Sequence, residues 1–135
     1  MTSPDPSDDP RAALVGELAR RTSVSWVRVA GETHPVWHVW FDDALCLVSG
    51  GTEQPFPDVE DGGLVEVVMR SKDTGGRLLT WVGRACVVPP QDGRWPATTA
   101  ALVAERLNVP DLATAAEGWA AHSTVRRIEP TGTYR

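Results

Sequence analysis

The sequence predicts a mainly β, α+β domain in which six antiparallel strands close as a small barrel with short helices at its periphery. Three observations predict it. Apolar and polar residues alternate with a period of two in several separate runs. The connections between the early runs are short and rich in Gly and Asp, as hairpins require. Helical spacing is confined to one segment near the start and two near the end, and closure into a barrel removes the edges that such a sheet would otherwise expose.

Asp9 can cap a first helix, with Pro10 at the position where a missing N–H costs nothing. Ala13, Leu14, Glu17 and Leu18 form its narrow stripe, and Arg20 and Arg21 place positive charge at the negative end of the helix dipole. From Ser23 the period changes to two, and Ser25, Val27 and Val29 alternate with Val24, Trp26 and Arg28. Ala30-Gly31-Glu32 reads as a turn, His34–Phe41 as the second strand, Asp42-Asp43 as a tight turn and Ala44–Val48 as the third strand. These three form an antiparallel meander. Ser49-Gly50-Gly51 ends the pattern, and Gln54-Pro55-Phe56-Pro57 cannot continue a central strand.

Leu64–Arg70 is the fourth strand, with Val65, Val67 and Met69 on one face. Residues 72–76 have hairpin composition, and Leu78–Val88 is a long fifth strand whose Gly83 marks a bulge or bend. One short helix starts at Pro96, with Ala100, Val103, Ala104 and Leu107 on its stripe and Asn108 after it. Asp111 caps another, carrying Leu112, Ala115, Ala116 and Trp119. Ser123–Ile128 alternates again as the sixth strand.

A chain of 135 residues is ordinary for one domain and can bury roughly two-thirds of its unfolded surface. Residues 1–9 read as a disordered acidic tail and 10–135 as the domain. Of the net charge of −5, Asp5, Asp8 and Asp9 supply three units, so the body is near neutral and has no basic stripe for nucleic acid. Apolar runs fall far short of the roughly 20 residues a membrane helix needs. The first residues have neither a basic start nor an apolar stretch, so no secretory leader is expected. Cys46 and Cys86 each lie inside an apolar run and read as reduced thiols of a cytoplasmic protein.

Hydrolase and nucleotide-triphosphatase motifs are absent. His34 and His38 lie four residues apart on one strand, about 13 Å, which is too far for one metal ion. Trp37 and Trp40 fall on opposite strand faces, so one of them faces a ligand or a partner, or both serve as core and rim packing. His38 reads either as a ligand or interface contact or as a satisfied polar residue. The Gly50-Gly51 step leaves backbone N–H groups able to approach an anion or a ring edge. Arg70-Ser71-Lys72 could hold a phosphate by charge-assisted bonds or form a solvated hairpin end.

The run His34-Pro35-Val36-Trp37-His38-Val39-Trp40-Phe41-Asp42-Asp43-Ala44-Leu45-Cys46-Leu47-Val48-Ser49-Gly50-Gly51 resembles the second and third strands of the pyridoxamine 5′-phosphate oxidase-like split β-barrels. Val65-x-Val-x-x-Arg70-x-Lys72-Asp73 and Trp81-Val-Gly-Arg-Ala85 are similar to that family's next two strands, and the likeness covers about residues 22–130. It implies a six-stranded split β-barrel and a homodimer with small-molecule sites at the subunit interface. Family members bind FMN, the deazaflavin F420 or, in some cases, haem or biliverdin. FMN or F420 is the cofactor expected here. By position Trp40, Ser49, Gly50 and Gly51 would lie along the ring system and Arg70, Ser71 and Lys72 near the phosphate, with His38 and Gln54 completing the candidate set. One departure stands out. Where many flavin-binding members carry a Ser-x-Lys or Arg-Lys step, this chain has Thr52-Glu53-Gln54-Pro55-Phe56-Pro57, in which Glu53 would repel a phosphate and no cation is near in sequence. The implied activity is that of an oxidoreductase of unknown substrate, whose chemistry the cofactor carries. The alternative is a non-catalytic dimeric module that holds a small planar ligand or none.

Overall fold

The computed structural model describes residues 9–70, 78–105 and 111–135. Of the expected acidic tail only Asp9 is among them. Ser71, Lys72, the hairpin turn at 72–76 and the Leu107–Asn108 helix end lie outside the described residues.

Helix α1 (Pro10–Arg21) starts as its sequence requires, with the Asp9 carboxylate accepting from Arg11 N at 2.8 Å and Pro10 in the first turn. Its buried face is Val15, Gly16, Leu18 and Ala19; of the expected stripe Leu18 is buried and Leu14 packs partly on the core, while Ala13 and Glu17 are exposed. The turn of the helix follows from Trp40, which lies against Gly16, where a Cβ would sit 3.4 Å from the indole Nε1. Strand β1 (Val24–Val29) pairs antiparallel with β2 (Glu32–Trp37) around Ala30 and Gly31, both at positive φ. Strand β3 (Val39–Phe41) pairs with β4 (Ala44–Ser49) around Asp42 and Asp43, whose φ of 51° and 56° is the pattern of a two-residue hairpin turn. Strands β5 (Gly63–Arg70) and β6 (Leu78–Val88), helices α2 (Trp95–Ala104) and α3 (Leu112–His122), and β7 (Thr124–Tyr134) complete the order.

The seven strands form one antiparallel sheet in the order β2-β1-β5-β6-β7-β4-β3. The expected antiparallel pairings hold, β1 with β2 and β3 with β4, but the middle strand of the meander is two strands. The segment read as one strand, His34–Phe41, breaks at His38, and its two halves lie at opposite ends of the strand order. Because β2 and β3 are separated by His38 alone, the two edges of the sheet meet there. The sheet curls into a barrel split beside that residue, and six expected strands become seven by this one break.

The sixth expected strand runs on to Tyr134. Pro130, which has no N–H for a ladder, falls opposite Gly83, where the β6/β7 register shifts. A Cβ on Gly83 would collide with the Ile128 side chain, so the bulge and the glycine are one feature.

Strand β4 is buried along its whole length because it separates two cores. Leu45 and Leu47 face the barrel interior with Val27, Val36, Val67, Trp81 and Ile128. Ala44, Cys46 and Val48 face outward and pack with Leu102 of α2 and Trp119 of α3. Helix α2 inserts Thr98, Thr99 and Leu102 rather than its 100/103/104 stripe. Both cysteines are free, Cys46 buried and Cys86 half-buried, and burial pushes each thiol up to about 11. Among the described residues no helix is long and apolar enough to cross a membrane.

Candidate functional site

The break at His38 places a buried polar pair, Ser25 and His38, at the corner of the barrel. The backbone N–H of His38 donates to Ser23 O at 2.9 Å, which ties the break to the chain entering β1. Its ring turns inward beside Ser25, and Nε2 lies 2.9 Å from Ser25 Oγ. Only 1% of the residue is exposed, and burial pushes its pKa down to about 4. A neutral imidazole therefore sits at the seam at physiological pH.

A cavity of about 350 Å³ opens over this seam, lined among others by Arg20, Ser23, Trp37, His38, Trp40 and Glu105. A second, of about 330 Å³, is lined by Arg21, Thr22, Ser23, Val24, Trp26 and Arg70. Both include Arg21, Thr22 and Ser23, so they adjoin at the entry to β1. Together they offer three tryptophans and three arginines. Indole faces suit a planar ring and guanidinium groups suit an anionic tail.

The predicted site residues therefore separate into two groups. His38 and Trp40 line the first cavity and Arg70 the second. Ser49, Gly50, Gly51 and Gln54 line neither. Ser49 Oγ accepts from Arg126 at 2.8 Å. The N–H of Gly50 is already used, donating to Gln54 O at 3.0 Å, and Ser123 Oγ donates to Gly50 O at the same distance. Gly51 has φ of 65° and packs so close to the α3–β7 junction that a Cβ would lie 2.7 Å from His122 O. Gly51 thus serves a close approach of backbone to backbone, and Gly50 a backbone at φ of 83°.

Gln54 closes the split. Its Oε1 accepts from Trp37 N at 2.7 Å, and its Nε2 donates to Trp37 O at 2.8 Å and to Val48 O at 3.2 Å. The side-chain amide thereby does what a neighbouring strand's peptide would do, between the end of β2 and the end of β4.

Trp37 and Trp40 divide between the two cores and share the cavity. Trp40 packs on the barrel core edge-on to Trp81, with centroids 6.4 Å apart, whereas Trp37 packs on the helix-side cluster. Sequence reasoning missed three features. Ser25, read as a strand residue, is the partner of His38. The stretch Arg21–Ser23 joins the two cavities. A cation does stand beside the third expected strand's end, for Arg126 of β7 reaches Ser49 and lies 4.8 Å over the Phe56 ring. Glu53 meanwhile turns to α3 and accepts from Trp119 Nε1 at 2.9 Å. No local signal marks these partners; the pairing of β4 with β7 brings Arg126 to Ser49, and that of β1 with β2 brings Ser25 to His38. Among the described residues no group of three His, Cys, Asp or Glu side chains is placed to hold a metal ion.

Comparison with known proteins gives the fold independent support. No family model and no curated protein sequence matches the chain. Solved structures do. HutZ, the haem storage protein from Vibrio cholerae, superposes with a TM-score of 0.61 at 13% identity over 91% of this chain and 92% of its own. A FAD-binding protein from Mesorhizobium loti gives 0.57 at 17% identity over 89% and 87%. A candidate pyridoxamine 5′-phosphate oxidase from Listeria innocua gives 0.54 at 14% identity over 93% and 96%. The fold is that of the pyridoxamine 5′-phosphate oxidase-like split barrels.

Proposed function

We propose that this protein is a dimeric cofactor-binding split barrel that holds a flavin or deazaflavin, FMN or F420, and acts as a cytoplasmic oxidoreductase. The observation that carries the reading is the pair of adjoining cavities at the entry to β1, with Trp26, Trp37 and Trp40 around them and Arg70 at the far end. Trp37 and Trp40 would flank the ring, and Arg21 and Arg70, with Ser71 and Lys72 following in sequence, would meet the phosphate-bearing tail. Ser49, Gly50, Gly51 and Gln54 would act on the site by holding the seam rather than by touching the ligand. A bound flavin supplies hydride transfer, and the chain supplies orientation and a water-poor wall. The likeness in fold to a FAD-binding protein supports this, and two free cysteines support a reducing compartment.

The second subunit would cover the outer face of β1, β5 and β6. Val24, Trp26, Leu64 and Leu78 are 41–61% exposed there, and Trp26 lies opposite Val68 in the sheet. An apolar patch of this kind marks an interaction surface. It is continuous with the second cavity through Val24 and Trp26, so a second copy would complete the ligand site.

The likeness to a haem storage protein supports a second reading, a carrier that holds a planar ligand without turnover. A visible absorption spectrum followed by titration with FMN, F420 and haem separates the two. Saturable flavin or F420 binding with reduction by a donor supports the oxidoreductase. Haem binding alone supports the carrier, and binding of none refutes both. Analytical ultracentrifugation of the wild type and Trp26→Glu tests the interface, with a dimer expected only for the first.

A further inference from the structure

Alternation along β1 turns Val24, Trp26 and Arg28 to the outer face of the sheet, and the ladder fixes what stands beside them. Trp26 lies opposite Val68, and Val68 opposite Thr80. In the next row of the same face, about 7 Å along the strands, Arg28 lies opposite Glu66, and Glu66 opposite Val82. The two rows differ in relief. Trp26 projects, 41% exposed, whereas Val82 is 7% exposed and forms the floor of a hollow of about 200 Å³.

The hollow suits an aromatic ring. Val82 and Leu64 give it apolar surface, and Arg28 and Arg135 stand in its wall. Glu66 completes the lining with its carboxylate 3.4 Å from Arg28, so the lining keeps one net positive charge. A cavity of about 150 Å³ is enough to hold benzene, and guanidinium groups are attracted to the face of an indole. Two identical subunits related by a two-fold axis meet through the same patch on each, so a projection has to find its recess on its own face. Trp26 and the hollow lie one row apart on one face.

We propose that Trp26 of each copy seats in the hollow over Val82 of a second copy. The inference deepens the reading of this face as the subunit interface and rests on it, but not on the identity of the ligand. Trp26 also lines the second cavity, so the hollow of one subunit holds a wall of the other's ligand site.

The test is analytical ultracentrifugation of the full chain as wild type, as Trp26→Ala, which removes the projection, and as Val82→Trp, which fills the recess. Circular dichroism checks that each is folded, and Leu64→Trp, which fills the hollow from its wall, replaces Val82→Trp if that variant does not fold. Wild type should be a dimer. Each variant alone should dimerise more weakly, by roughly thirtyfold or more, as for the loss of a seated tryptophan anchor. An equimolar mixture of the two variants should recover the dimer. The intact Trp26 of one chain then enters the intact hollow of the other, and at the second contact the truncated side chain meets the filled recess. A monomeric wild type would remove both the interface and the proposal. Trp26→Ala weakened with Val82→Trp at wild-type strength would keep the interface and overturn the proposal. Trp26→Ala at wild-type strength, or two weakened variants whose mixture stays monomeric, would overturn it as well.

Discussion

Replacing Gln54 by Leu tests whether one side chain holds the split barrel together. Gln54 makes three hydrogen bonds to backbone across the seam, at 2.7, 2.8 and 3.2 Å. Each such bond contributes about 1 kcal/mol net. The residue is half-buried, so water can reach part of what the substitution leaves behind, and the sum falls from about 3 to about 2 kcal/mol. For a chain of this length that corresponds to a melting point lower by roughly 8 °C. Leu has nearly the same volume, so the loss reports hydrogen bonding rather than a cavity. The assay is urea unfolding followed by tryptophan fluorescence, in which the midpoint should fall while the slope stays constant. Gln54→Glu should cost more at neutral pH, because a carboxylate would face the carbonyls of Trp37 and Val48. Its folded-state pKa would then be raised, so its stability should recover as the carboxyl protonates at lower pH. A Gln54→Leu protein within about 0.5 kcal/mol of wild type would refute the clamp.

Three further outcomes are expected. Between about pH 6.5 and 4 the unfolded chain binds a proton that folded His38 excludes, so stability should fall with pH across that window, by up to about 3 kcal/mol. Chemical denaturation at pH 7 and 4.5 should show this slope flattened in His38→Gln. Gly51→Ala forces a side chain to φ of 65° and to within 2.7 Å of a backbone carbonyl, and should cost about 2 kcal/mol or more by thermal melting. Leu47→Ala, at a fully buried barrel position, should cost roughly 2–5 kcal/mol in the same assay, whereas Leu112→Ala on exposed α3 surface should fall within about 0.5 kcal/mol of wild type.

The sequence by itself determined what neighbours in the chain determine. Asp9 and Pro10 start α1 and Asp111 starts α3, because a cap is a bond between residues two or three apart. Alternation located β1, β5 and β6, the last of these with its bounds unchanged at Leu78–Val88. The acidic pair Asp42-Asp43 predicted a tight turn where the chain makes one. Tertiary structure decided the rest. His34–Phe41 reads as one strand because its residues favour extended backbone throughout. Its break at His38 follows from two different neighbours, β1 on one side and β4 on the other, competing for its two halves. The same holds for the candidate site. His38 and Trp40 were legible as polar and aromatic residues of the second expected strand, and Arg70 as a cation at the end of the fourth. That Ser49 would turn to Arg126, 77 residues away, and Gln54 to the seam was not. A residue's local pattern records which way it faces; what stands opposite depends on which strands pair, and that is settled by packing of the whole barrel.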